Sequence, residues 1–190
     1  MQAMATSTYT KTWTYEDLFH LPDDGKRYEI VDGELYEMPA PNPEHAAAVV
    51  NLILLLAPVV KALGGRIFTA PIDVFMFGAD PVQPDIVVLL ASQAGLLTRR
   101  GVEGAPSLLI EVLSPTNPEH DRIRKRELYA RAGIGEYWLV SPEAASIDVL
   151  TLTGRTYRTL VRAAGDEPIQ TQVLPDLSFP VSTVFAAVIA

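Results

Sequence analysis

Residues 107–114, Ser-Leu-Leu-Ile-Glu-Val-Leu-Ser, form an apolar run of strand length with one acid, Glu111, in the middle. A second run, Pro84-Asp-Ile-Val-Val-Leu-Leu90, repeats the anomaly with Asp85. Val, Ile and Leu on successive residues read as strands covered on both faces, so the chain has to build a sheet with packing on each side. An ionised carboxylate in such a strand costs several kcal/mol unless it is paired or bound to a metal. Two such acids in a small chain point to a site.

Composition narrows its chemistry. The chain has 190 residues, 48% of them hydrophobic, enough for one sizeable core, and is read as a loose polar arm over 1–12 followed by a single domain over 13–190. No run approaches the ~20 unbroken apolar residues of a membrane span, and the N-terminus lacks the blocks of a signal peptide, so a cytoplasmic protein with no membrane partner is expected. Without cysteine there is no thiolate chemistry, and His20, His45 and His120 are too far apart in sequence for zinc spacing. Any metal would be a hard cation on carboxylates. The net charge of −8 counts against a generic nucleic-acid binder, yet five of the fifteen basic residues fall between Arg122 and Arg131.

Along the chain, a short capped helix at Thr14–Phe19 precedes strands at 27–31 and 34–38, joined by the hairpin dipeptide Asp32-Gly33. A long apolar helix is predicted over 44–63, ended by Gly64-Gly65 and kinked or broken near Pro58. Strands follow at 66–70, 73–77 and 84–90, then the Glu111 strand. Asn117-Pro118 supplies a cap and a first-turn proline for a helix to Ala132, and strands at 136–140, 147–150 and 157–161 complete the order. The fold class is α/β (α+β), with a mixed central sheet flanked by helices and an N-terminal hairpin that extends or covers it.

At ~100° per residue the helix over 117–132 places Asp121, Lys125, Leu128, Tyr129 and Ala132 on one core-facing stripe, and Arg126, Glu127, Ala130 and Arg131 off it. Lys125 can therefore reach Glu111. Two carboxylates that hold Mg²⁺ or Mn²⁺, and a lysine that stabilises developing negative charge, are the parts that phosphodiester hydrolysis needs. Arg122, Arg124 and Arg126 are the candidate DNA contacts.

Tyr28-Glu-Ile-Val-Asp-Gly-Glu-Leu, Pro43-Glu-His, Gln83-Pro-Asp, Gly101-Val-Glu-Gly-Ala-Pro, Ile110-Glu-Val-Leu-Ser, Asp121 with Lys125 and Tyr129, and Gly133-Ile-Gly-Glu-Tyr-Trp together resemble the Uma-two family. These are bacterial restriction-endonuclease-like proteins of the PD-(D/E)xK nuclease superfamily. The resemblance spans about residues 14–150. It implies a restriction-endonuclease-like αβββαβ core and divalent-metal-dependent cleavage of DNA in the bacterial cytoplasm, with Asp85 as the PD aspartate and Glu111 as the acid that follows. Leu113 stands where the Glu-x-Lys lysine would be, and Lys125 is its replacement. Glu34 is the candidate fourth acid. A homodimer is expected, since restriction-like folds often act in pairs on two strands.

Other readings stay open. Asp85 could cap a loop, Lys125 could simply bridge to Asp121 one turn earlier, and Glu34 could be the polar face of a hairpin strand. The whole could be a catalytically weak or inactive nuclease-fold module for DNA or protein interaction, or the carboxylates could act as acid and base on a sugar.

Overall fold

The computed structural model describes residues 12–38, 40–76, 81–114 and 120–186. The arm over 1–11, the turn at Gly78–Asp80 and the Asn117-Pro118 cap lie outside the described residues, as does the side chain of Asp121.

Helix α1 (Tyr15–Leu18) starts where the Thr14 N–H donates to the Asp17 carboxylate (2.9 Å). Strands β1 (Arg27–Val31) and β2 (Glu34–Met38) pair antiparallel. Asp32 and Gly33 both have positive φ (50° and 77°), the backbone a two-residue hairpin turn demands. This hairpin hydrogen-bonds to no other strand among the described residues. It covers the central sheet rather than extending it, with Val31 in the apolar cluster on one sheet face.

Helix α2 (Pro43–Ala62) is capped by Asn42, whose side chain accepts the His45 N–H at 2.8 Å. The helix runs through Pro58 to Ala62, so of the expected kink or break the break does not occur. Pro58 sits on the exposed side, where its ring meets no core packing and the carbonyl it leaves unbonded can take water. By length and composition α2 would reach across a bilayer, but Ala48, Leu52, Leu56 and Val60 are buried in the core, as in the core helix of a folded protein.

The rest of the chain supplies β3 (Arg66–Thr69), β4 (Val74–Phe75), β5 (Ile86–Leu89), β6 (Val102–Glu103), β7 (Leu108–Val112), α3 (Arg126–Ala132), β8 (Glu136–Ser141), β9 (Ser146–Thr153) and β10 (Thr156–Ala164). Six strands form one mixed sheet in the order β10-β9-β8-β7-β5-β3, parallel only between β7 and β8. Strands β4 and β6 make a separate parallel pair, and β6 is too short for its sequence to signal.

Both sheet faces are covered, as the unbroken apolar runs require. Ile86, Val88, Leu108, Ile110 and Val112 share a cluster with α2 and with Ile169, Leu174, Phe179, Val181 and Val184 of the C-terminal segment. Val87, Leu89, Leu109 and Leu113 share the other with Leu128 and Tyr129 of α3. Strand side chains alternate between faces. Glu111 therefore belongs to the α3 face, in a row otherwise apolar.

The expected helix over 117–132 is not uniform. Residues His120–Lys125 wind as a π-helix before α3 begins at Arg126, and Gly133 ends α3 in the left-handed conformation (φ 82°). A 100° wheel holds only for the α-helical part. Leu128 and Tyr129 face the core as expected, while Ala130 is buried as well and not turned to solvent.

Candidate active site

Three elements meet at the end of the sheet where β5 begins and β7 ends. Pairing of β5 with β7 sets Ile86 opposite Ile110 and Val87 opposite Leu109. Asp85 comes just before the last pair of this ladder and Glu111 just after it, so both lie at the same end of the two strands. The Val112 N–H donates to Asp85 Oδ2 at 2.8 Å and locks that alignment.

Lys125 brings the third element. Its side chain is 1% exposed, and its Nζ lies 3.0 Å from Glu111 Oε1 and 3.1 Å from Glu29 Oε2, both carboxylates being 4% exposed. Glu29 comes from β1, so the hairpin is tied to the sheet through a buried ammonium. The Gln83 N–H donates to Glu29 Oε1 (3.0 Å), and the Tyr129 hydroxyl donates to Glu111 Oε1 (2.7 Å). Burial first, and the Glu111 charge second, push the Tyr129 phenol well above its ordinary pKa, so it stays a proton donor.

Asp85 lies at the wetter rim. His45, in the first turn of α2, sets Nε2 3.2 Å from Asp85 Oδ2. Both of these contacts to Asp85 fall on Oδ2. A cavity of about 380 Å³ is lined by Asp85, Glu111, Lys125, His45 and Gln83 together with an apolar wall.

A family model described as "Putative restriction endonuclease", Uma2, matches residues 15–182. The chain belongs to the Uma2 family. Among solved structures, a "putative nuclease belonging to DUF820" from Anabaena variabilis ATCC 29413 superposes with a TM-score of 0.74 at 20% identity, covering 90% of this chain and 97% of that one. No curated protein is similar enough to this chain to count as a match. The mixed sheet flanked by helices is thus the fold of a nuclease-family neighbour.

The donor chemistry of this Uma2 site can be tested against a divalent cation. Glu29, Glu111 and Asp85 set three carboxylates against the single ammonium of Lys125, with His45 charged only when protonated. Asp85 and Glu111 offer carboxylate oxygens at one cavity, the donor type that a hard divalent cation takes. Among the described residues no three His, Asp or Glu side chains converge closely enough to cage a metal. Mg²⁺ does not require such a cage: it keeps several waters and binds through one or two carboxylates. Asp85 and Glu111 fit that pattern.

The structure brings Asp85, Glu111 and Lys125 to one cavity and leaves Glu34 out of it. Glu34 is a surface carboxylate, 59% exposed, paired with Arg124 and hydrogen-bonded by Tyr36, a bond that holds its pKa below the usual carboxylate value. Hairpin geometry is the reason: Val31 pairs with Glu34 at the turn, away from the cavity, while Glu29 lies further along β1 and points inward. Glu29 was not singled out from the sequence: buried Ile30 and Val31 follow it, but Arg27 and Tyr28 precede it, so it lacks the apolar run that marks Glu111. The three arginines separate as well. Arg124 is held by Glu34 over the Tyr36 ring, and Arg126 donates to the Tyr157 carbonyl at 3.1 Å. Arg122 is exposed beside Asn42 and Ser114, which also line the main cavity.

Proposed function

We propose that this Uma2 protein is a metal-dependent deoxyribonuclease that hydrolyses phosphodiester bonds of DNA, with Asp85 and Glu111 holding Mg²⁺ or Mn²⁺. The observation that carries this reading is the meeting of two carboxylates, Asp85 and Glu111, with the buried Lys125 ammonium at one cavity. When bound, the ion would supply charge neutralisation at the phosphate and make a water molecule more acidic. In hydrolysis the water oxygen bonds to phosphorus, the bond to the leaving sugar oxygen breaks, and that oxygen takes up a proton.

The chain's own residues orient and hold. His45 and the Val112 N–H fix Asp85 through Oδ2. Lys125 and Tyr129 fix Glu111, and Glu29 keeps the ammonium from swinging out of the site. The buried ammonium lies beside the place where negative charge grows, which favours the transition state over the ground state. Arg122, at the cavity's edge, is the arginine placed to meet a neighbouring phosphate. The reading includes a homodimer acting in the bacterial cytoplasm. One observation favours a non-catalytic module instead: the Lys125 ammonium is already sandwiched between two carboxylates.

Incubation with single-stranded and duplex oligonucleotides in Mg²⁺, Mn²⁺ or EDTA tests the reading. Cutting should require the metal, and Asp85→Asn and Glu111→Gln should each remove it. Metal binding without any cutting would leave the module.

A further inference from the structure

The cavity has an unusual wall for a protein that handles DNA. Ala46, Val49 and Val50 of α2 face it on one side and Met38, Pro41 and Ala70 add further apolar surface. Among the described residues lining it, Lys125 is the one ammonium or guanidinium, and its Nζ is held by Glu29 and Glu111. Proteins that grip duplex DNA do so by neutralising phosphates with Lys and Arg, and a chain of net charge −8 with no such row in its cavity has little to offer an intact double helix.

The wall suits the other half of a nucleotide. A base has two apolar faces that are hidden in duplex DNA and exposed in a single strand, and enzymes with enclosed sites work on unpaired or extruded nucleotides. A volume of about 380 Å³ falls at the small end of ligand pockets, room for one nucleotide and not for a duplex. The polar floor and apolar wall also match the nucleotide's own polarity, with the phosphate toward the carboxylates and their cation and the base toward α2.

We propose that the cavity takes one unpaired nucleotide of DNA, its base against the aliphatic face of α2, so that single-stranded or locally opened DNA is the preferred substrate. This rests on the nuclease reading above. Binding follows from burial of the base at Ala46, Val49 and Val50, and not from a row of cationic contacts.

The test is fluorescence anisotropy in Mn²⁺ of one labelled oligonucleotide with a cleavage-resistant phosphorothioate backbone, offered as a single strand, as a perfect duplex and as a duplex with a short unpaired bubble, alongside thermal melts with Mn²⁺ alone. Wild type should bind the single strand and the bubble at least tenfold more tightly than the duplex. Val50→Asp, on an exposed turn of α2 where folding is tolerant, should lose at least tenfold in single-strand affinity while its Mn²⁺ melting shift is unchanged. Equal or tighter binding of the perfect duplex, or no effect of Val50→Asp, overturns the inference and leaves the nuclease reading standing. No Mn²⁺ shift in wild type together with no binding of any DNA overturns both.

Discussion

Two of the ion pairs that join the hairpin to the helical segment before β8 are near neighbours in sequence at both ends. Glu29 meets Lys125 inside the protein, at 4% and 1% exposure, and Glu34 meets Arg124 on its surface, at 59% and 47%. The inner ammonium is buried between two carboxylates, so its loss would leave two buried carboxyl groups without their cationic partner. The outer pair is solvated on both sides, and water can replace either partner. Similar pairings therefore do opposite jobs: one sets the charge of the cavity, the other decorates the surface.

The largest effect expected from this contrast is on stability. Lys125→Met should destabilise the metal-free protein by about 3–5 kcal/mol, the cost of uncompensated buried charge, read from urea unfolding. Glu111→Gln and Glu29→Gln should each cost much less, because either leaves the lysine with one carboxylate. Equal losses in all three variants would mean that the site is a simple pair and carries no excess charge.

A smaller effect falls on the ion and not on the fold. His45→Ala removes a hydrogen-bonding partner of Asp85 and should weaken Mn²⁺ binding by about 10–100-fold in calorimetric titration, with the circular dichroism spectrum unchanged. His45→Gln, which can still donate, should recover part of that loss. Unaltered affinity in both would show that the Val112 N–H alone positions Asp85.

Smaller again is the expected change at Tyr157, a buried neutral hydrogen bond that contrasts with both ion pairs. Its hydroxyl donates to the Ile134 carbonyl at 2.8 Å, and burial pushes its pKa up. A phenol raised on folding stabilises fully below the unfolded value of about 10 and loses that contribution as pH climbs beyond it. Wild type should therefore weaken in alkali, and Tyr157→Phe should do so less steeply while costing about 0.5–1.5 kcal/mol at neutral pH. Arg124→Met closes the series. Its exposed pair is worth under about 1 kcal/mol, and urea unfolding should barely detect its removal.

The sheet and its two covering helices were legible because long apolar runs and glycine stops are local signals. Asp85 and Glu111 stood out for a related reason, because charges in apolar surroundings are costly, whereas Lys125 was picked from its charged run by helical spacing. Glu29 was missed because β1 reads as one strand of a half-exposed hairpin, and only the tertiary packing shows that this end of it is buried. The π-helix at His120–Lys125 has no sequence signature in its run of charges. The C-terminal segment packs Ile169, Leu174, Phe179, Val181 and Val184 without strand or helix spacing, so periodicity could not reveal it. The hairpin's role was half visible: its turn follows from Asp32-Gly33, but its docking depends on a salt bridge across 96 residues of sequence, from Glu29 to Lys125.

The most direct measurement is a set of thermal melts with and without Mn²⁺ on wild type, Glu111→Gln, Asp85→Asn and Arg124→Met. A ligand at a hundred times its Kd adds about 2.7 kcal/mol to the native state, several degrees for a chain of this size. Wild type and Arg124→Met should both show that rise, and Glu111→Gln and Asp85→Asn should show little or none. An equal rise in all four proteins would place the ion elsewhere and contradict the assignment of Asp85 and Glu111 as its ligands.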